Sequence, residues 1–153
     1  MLQVIIGKLG GIRMSDYTIE QLIDPNDKDI ADVLNLFRGI PGRTCTVAAY
    51  LDYINTNWML IAIFVVRKNQ EVVGFTQAEA PCTLDPKCAW LPFSHATPQC
   101  PHKQSQKALQ LAIEWMKGFG ATKFKYATVR NPAAIKRHWG MKRSKEVLME
   151  KDI

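Results

Sequence analysis

The sequence predicts a single α/β domain on a mixed sheet, with the element order β-α-α-β-β-β-α-β-α-β. Three observations carry that reading. The 153 residues leave room for one domain and hardly for two. Met59 to Arg67 is a continuous apolar run rich in Ile and Val, as in a strand covered on both faces. Before and after it, stretches of helical spacing end at Gly and Pro. With 47% hydrophobic and 22% charged residues, the composition excludes disorder, collagen-like repeats and a coiled coil as whole-chain structures.

Tyr17 to Leu22 alternates as a first strand. Asp24-Pro25 is a capping pair that predicts a helix start, and Ile30, Val33, Leu34 and Phe37 follow at helical spacing up to Gly39 and Pro41-Gly42. A second helix is expected from Thr46, with Val47, Tyr50, Leu51 and Ile54 on one face. After the buried strand, Lys68-Asn69-Gln70 is a polar turn and Glu71 to Glu79 the returning strand, in which Gly74 marks a bulge or a close backbone approach. Cys88 to Thr97 is the fourth strand, and Pro92 within it interrupts regular pairing. The longest helix runs from about Lys103 to Lys117, with Gly118 and Gly120 as its exit. Thr122 to Val129 is a fifth strand, Asn131-Pro132 opens a short helix to about Trp139, and Val147 to Met149 belongs to a last strand.

Residues 1–13 differ from the rest, and Met14-Ser-Asp-Tyr is a natural beginning. We expect an N-terminal extension over 1–13 and one domain over 14–153. The run Trp58 to Val66 is about half of the ~20 residues a membrane helix needs. No secretory core forms before Gly7 and Lys8, so a cytoplasmic location with free thiols at Cys45, Cys82, Cys88 and Cys100 is expected. Charge is uneven. Residues 1–98 carry eight basic and ten acidic side chains, whereas 99–145 carry eleven basic ones against Glu114 alone. Such a field attracts phosphates, whether on a nucleotide-bearing cofactor, a nucleic acid or a membrane.

The element order is that of the GNAT acetyltransferase superfamily, which the chain resembles from about Tyr17 to Lys151. Thr97-Pro98-Gln99 followed by Lys103 to Leu109 is similar to the strand-to-helix turn that holds the cofactor pyrophosphate. Asn131-Pro132-Ala133-Ala134-Ile135, with Gly140-Met141 after it, resembles the family's Asn-x-x-Ala-Ile helix. The resemblance implies an acetyl-CoA-dependent N-acetyltransferase with a primary amine as acceptor, in a small molecule or a protein. The cofactor would meet Ala96, Thr97, Lys103, Gln104, Ser105, Gln106, Lys107 and Asn131. Where the family has glycines in its phosphate turn, this chain has Gln104 and Gln106, with Pro101 at the head of the turn. Glycine lets backbone N–H groups approach a phosphate closely, so a weaker or differently posed cofactor is expected. The alternative reading is a GNAT-fold binding or structural module without catalysis.

Acetyl transfer needs a neutral amine, donors for the carbonyl oxygen and, where available, an acid for the departing thiolate. The amides of His95, Ala96 and Thr97 are candidate donors. Glu79, at the end of the third strand, and His95, on the fourth, are candidate bases; each is also an ordinary strand residue, solvated or packed. The family's catalytic Tyr, by count, falls on His138, an acid by chemistry and a surface residue by position. Cys82, Cys88, His95, Cys100 and His102 are dense but lack the tight spacing of a zinc site, so no metal is expected. Lys123, Phe124, Lys125 and Tyr126 interleave basic and aromatic residues; a half-buried strand explains this better than nucleic-acid binding, which the basic half leaves as a lesser possibility.

Overall fold

The computed structural model describes residues 16–128, 131–144 and 151–152. The expected extension at 1–13 and last strand at 147–149 lie outside the described residues.

Five strands lie side by side in chain order: β1 (Tyr17–Gln21), β2 (Ile61–Lys68), β3 (Glu71–Glu79), β4 (Cys88–Ala96) and β5 (Lys123–Lys125). The first three junctions are antiparallel and β4–β5 is parallel. A parallel pair needs a crossover, which α3 (His102–Gly118) supplies. The helices α1 (Ile30–Arg38) and α2 (Val47–Asn57) separate β1 from β2, and α4 (Pro132–Trp139) follows β5.

The apolar run of β2 is divided between two cores, as strand alternation requires. Ile61, Ile63 and Val65 face α1 and α2, meeting Val33, Phe37, Tyr50 and Ile54. Ala62, Phe64 and Val66 face α3, meeting Ala108, Leu109, Ala112 and Met116. The sheet is thus covered on both sides. Phe37 stacks on Tyr50 at 4.1 Å between centroids, and Phe93 from β4 meets both rings edge-on. Burial holds the Tyr50 phenol well above its ordinary range, so it stays protonated and donates to Gln77 Oε1 at 2.5 Å.

Local chemistry decides the element ends. Thr46 caps α2, its hydroxyl accepting from the Ala49 N–H at 3.1 Å. The β2–β3 connection turns on Asn69 at φ 55°, a conformation Asn tolerates. Both readings of Gly74 hold: the β2–β3 register shifts beside it, and a Cβ there would sit 3.3 Å from both Ala96 Cβ and Cys100 Sγ. At Pro92 the β3–β4 register also shifts, since Gln77 pairs with Phe93 and Glu79 with Trp90.

Three boundaries need correction. Asp24-Pro25 does not start a helix: Asp24 closes a turn through the N–H groups of Asn26 and Asp27, and α1 begins at Ile30. Asp29, at that start, is buried and paired with Arg67 of β2, so tertiary charge pairing sets the position. A short 3₁₀ turn, Trp58–Leu60, precedes β2. The fifth strand is three residues long, Lys123–Lys125, and not Thr122 to Val129.

Candidate active site

The short β5 matters most. It pairs with β4 only at Cys88↔Lys123, Ala89↔Phe124 and Trp90↔Lys125. Beyond Trp90 comes the Pro92 irregularity, and Phe93 to Ala96 continue the ladder with β3. The Thr97 N–H donates to the Val73 carbonyl at 2.8 Å. In an antiparallel ladder the N–H groups of successive residues point alternately to the two sides. The amides of His95 and Phe93 therefore share Thr97's direction toward β3, and those of Ser94 and Ala96 point into the gap. Of the three amides expected to serve as donors, only Ala96's faces the opening; Ser94, which sequence reasoning missed, adds a second.

The gap leads into a slot of about 230 Å³ between β4, α3 and α4, lined by Ser94, His95, Ala96, His102, Ser105 and the α4 residues Ala134 to Trp139 that face it. At its far end is the N-terminus of α3. Helix geometry leaves the first N–H groups of a helix without intrahelical acceptors, and no side chain caps this one. No acid stands in its first turn, so the positive end of the dipole is uncompensated. Lys103 and Lys107 are exposed beside it. These features fit a phosphopantetheine thioester: gap-facing amides for the arm, then uncapped amides and cations for the phosphates. Among the described residues the Thr97 hydroxyl, buried in the turn that joins β4 to α3, has no hydrogen-bond partner.

The other expected cofactor residues divide. Ser105 lines the slot, its Oγ 3.4 Å from Cys100 Sγ. The Gln106 Nε2 donates to the His138 carbonyl at 2.9 Å, tying α4 to α3. Gln104 is half-buried in the first turn of α3. Asn131 spends its side chain on capping α4, accepting from the Ala133 N–H at 2.9 Å. The helix then ends at Gly140 in a left-handed conformation, φ 66°. That early end places His138 against His102, ring centroids 4.5 Å apart.

The candidate bases lie on the sheet face that carries α1 and α2. Glu79 follows Phe75 and Gln77 on that face and is paired with Trp90 across the strands. Tyr53 of α2 reaches it: burial first, then the hydrogen bond and charge of Glu79, push the Tyr53 phenol up, so it remains a donor to the carboxylate. The Trp90 side chain is 41% exposed, with Lys125 Nζ 5.7 Å from its ring centroid. His95 shares the face with Phe93, and its Nε2 stands where a Cβ on Gly39 would come within 2.9 Å. Glu79 and His95 are thus separated along one face, and His138 lies at the slot. Tyr53, Trp90 and His102 were not singled out as site residues; only the folded contacts reveal them.

None of the four cysteines is joined in a disulfide. Among the described residues no cluster of His, Cys, Asp and Glu could hold a metal ion, and no helix is long and apolar enough to cross a membrane.

No protein-family model and no curated protein matches the chain. Solved structures do. An aminoglycoside N-acetyltransferase, AAC(6')-Iy in complex with CoA, superposes with a TM-score of 0.70 at 14% identity, covering 92% of this chain and 97% of that one. A predicted acetyltransferase with acetyl-CoA from Clostridium acetobutylicum gives 0.70 at 12% identity, over 88% and 96% of the two chains. A transcriptional regulator from Bacillus halodurans gives 0.68 at 16% identity, over 89% and 99%. What is shared at these identities is the architecture: the chain has the GNAT acetyltransferase fold.

Proposed function

We propose that the chain transfers the acetyl group of acetyl-CoA to a primary amine by direct attack on the thioester. The observation that carries this is the gap beyond Trp90, into which the Ser94 and Ala96 N–H groups point. Those amides would hold the pantetheine arm and the thioester carbonyl. The uncapped first turn of α3, with Lys103, Gln104, Ser105 and Lys107, would hold the phosphates. Gln106 and Asn131 serve indirectly, by tying α4 to α3 and by capping it. A cytoplasmic location, where acetyl-CoA is at hand, suits this reading. The acceptor amine would approach from the α1/α2 face, past Glu79, Tyr53 and Trp90.

Magnitudes decide which proton transfer matters. An alkylamine with pKa ~10.4 is an ammonium at pH 7, and deprotonating it costs about 4.6 kcal/mol. A thiol with pKa ~8.5 leaves readily as thiolate without an obligatory acid. The base is therefore the group the reaction needs. Glu79, held by Tyr53, is our assignment, with His95 as the competitor. Glu79→Gln is expected to lower kcat about 10²-fold or more, within the range for general bases. Gly39→Ala separates the two: its Cβ displaces the His95 ring and leaves Glu79 alone. Turnover near the wild-type rate supports Glu79; a fall matching that of Glu79→Gln transfers the role to His95.

Acetyl-CoA calorimetry, followed by thiol-release assays over a panel of amines, tests the function itself. Binding with release of CoA thiol supports the enzyme. Binding with no turnover on any amine favours a module without catalysis, and no heat at millimolar acetyl-CoA removes the enzyme and leaves only the binding or structural module.

A further inference from the structure

The fold brings two imidazoles together at the slot. His102 is the first residue of α3 and His138 lies in the last turn of α4. Their rings meet edge to face at 4.5 Å, and both line the slot. The pair is held in place, because Gln106 Nε2 donates to the His138 carbonyl.

The surroundings are cationic. Of the elements meeting here, α3 brings Lys103 and Lys107, α4 brings Lys136 and Arg137, β4 brings His95, and the turn before α3 brings the Cys100 thiol. Lys142 and Arg143 follow α4. Neither helix has an acid in its first turn. Glu114, the acid of α3, stands about three turns further along and is paired with Lys117 at 3.0 Å.

Two adjacent imidazolium rings among lysines would repel each other. An anion placed against the pair reverses that balance, and imidazole titrates in the range where this counts.

We propose that His102 and His138 form a proton-coupled phosphate latch, taking up protons from solvent as the pyrophosphate of the cosubstrate docks at the start of α3. This rests on the acetyl-CoA reading above. By linkage, protons that favour binding are bound on binding. Affinity for acetyl-CoA then rises as pH falls from 8 to 6, and the affinity advantage is lost as pH climbs back.

The test is titration calorimetry of the full chain with acetyl-CoA at pH 6, 7 and 8, in two buffers of different ionisation enthalpy, beside the His102→Asn/His138→Asn variant. The cosubstrate's own phosphomonoester titrates near pH ~6, so the difference between the two proteins is the quantity read. The latch predicts that wild type takes up about half to one proton more than the variant at pH 7. It also predicts that the wild-type affinity gains about 10-fold, relative to the variant, between pH 8 and 6. Acetyl-pantetheine, which lacks the phosphates, is expected to bind both proteins with no such difference. Should the double variant fail to fold by circular dichroism, the exposed single change His138→Asn serves in its place. Equal proton uptake by tightly binding wild type and variant overturns the latch and leaves the acetyl-CoA reading intact. An absence of binding at every pH overturns that reading and the latch with it.

Discussion

An Ala96→Pro variant is expected to lose about 10²-fold in kcat/KM, the scale for removing one preorganised donor from a carbonyl-binding site. The change is selective. Ala96 lies on β4 beyond the last β4–β5 pair, Trp90↔Lys125, and its N–H points away from β3. Proline there deletes a donor from the gap without breaking a ladder bond, as on an edge strand. Thr97→Pro is the contrast. It removes the bond to the Val73 carbonyl, so its damage is expected to show in stability. Steady-state kinetics and thermal melts of the pair separate the two effects. An Ala96→Pro enzyme with full activity would mean that the gap amides do not touch the thioester.

Asp29→Ala is expected to destabilise the fold by about 3 kcal/mol, lowering the melting temperature by roughly 10 °C. Asp29 is 4% exposed in its side chain and Arg67 12%. Arg67 Nη1 donates to Asp29 Oδ1 at 3.0 Å, and a second contact joins Nη2 to Oδ2. Removing the carboxylate strands a nearly buried guanidinium, which is the costly way to break such a pair. Glu20 remains 3.4 Å from Arg67 Nε, more exposed, and that residual contact sets the loss at the lower end of the usual range. The pair pins the start of α1 to β2, and α1 ends at the Gly39 that packs on His95. Denaturant unfolding reads the loss directly; a change below about 1 kcal/mol would show that the pair contributes no more than a surface contact.

The strands and helices were legible where a single period dominated. Met59 to Arg67 announced a doubly buried strand because both faces of β2 are packed, and Thr46 announced a helix because capping is local chemistry. Asp24-Pro25 misled for the opposite reason: the same residue types that cap helices also close turns, and the buried Arg67 partner that decides for Asp29 lies far along the chain. Pro92 told where pairing would break, though not that β5 would stop two residues earlier in register. The site was legible in outline. Phosphate-turn residues and His95 follow from the element order, but the direction of each amide depends on ladder parity. His138 was found by counting along a helix, whereas its contact with His102 arises because α4 ends early at Gly140. Tyr53 and Trp90 left no local mark, since their contacts come from pairing across α2, β3 and β4.

The acyl-pantetheine arm is expected to enter where β4 parts from β5. Backbone amide NMR of the ¹⁵N-labelled protein during titration with CoA tests it most directly. Saturable shifts are expected at the Ser94 and Ala96 amides, together with those of His102 and Lys103, while the β1–β2 ladder stays unmoved. Saturable binding that leaves Ser94 and Ala96 unperturbed would contradict it.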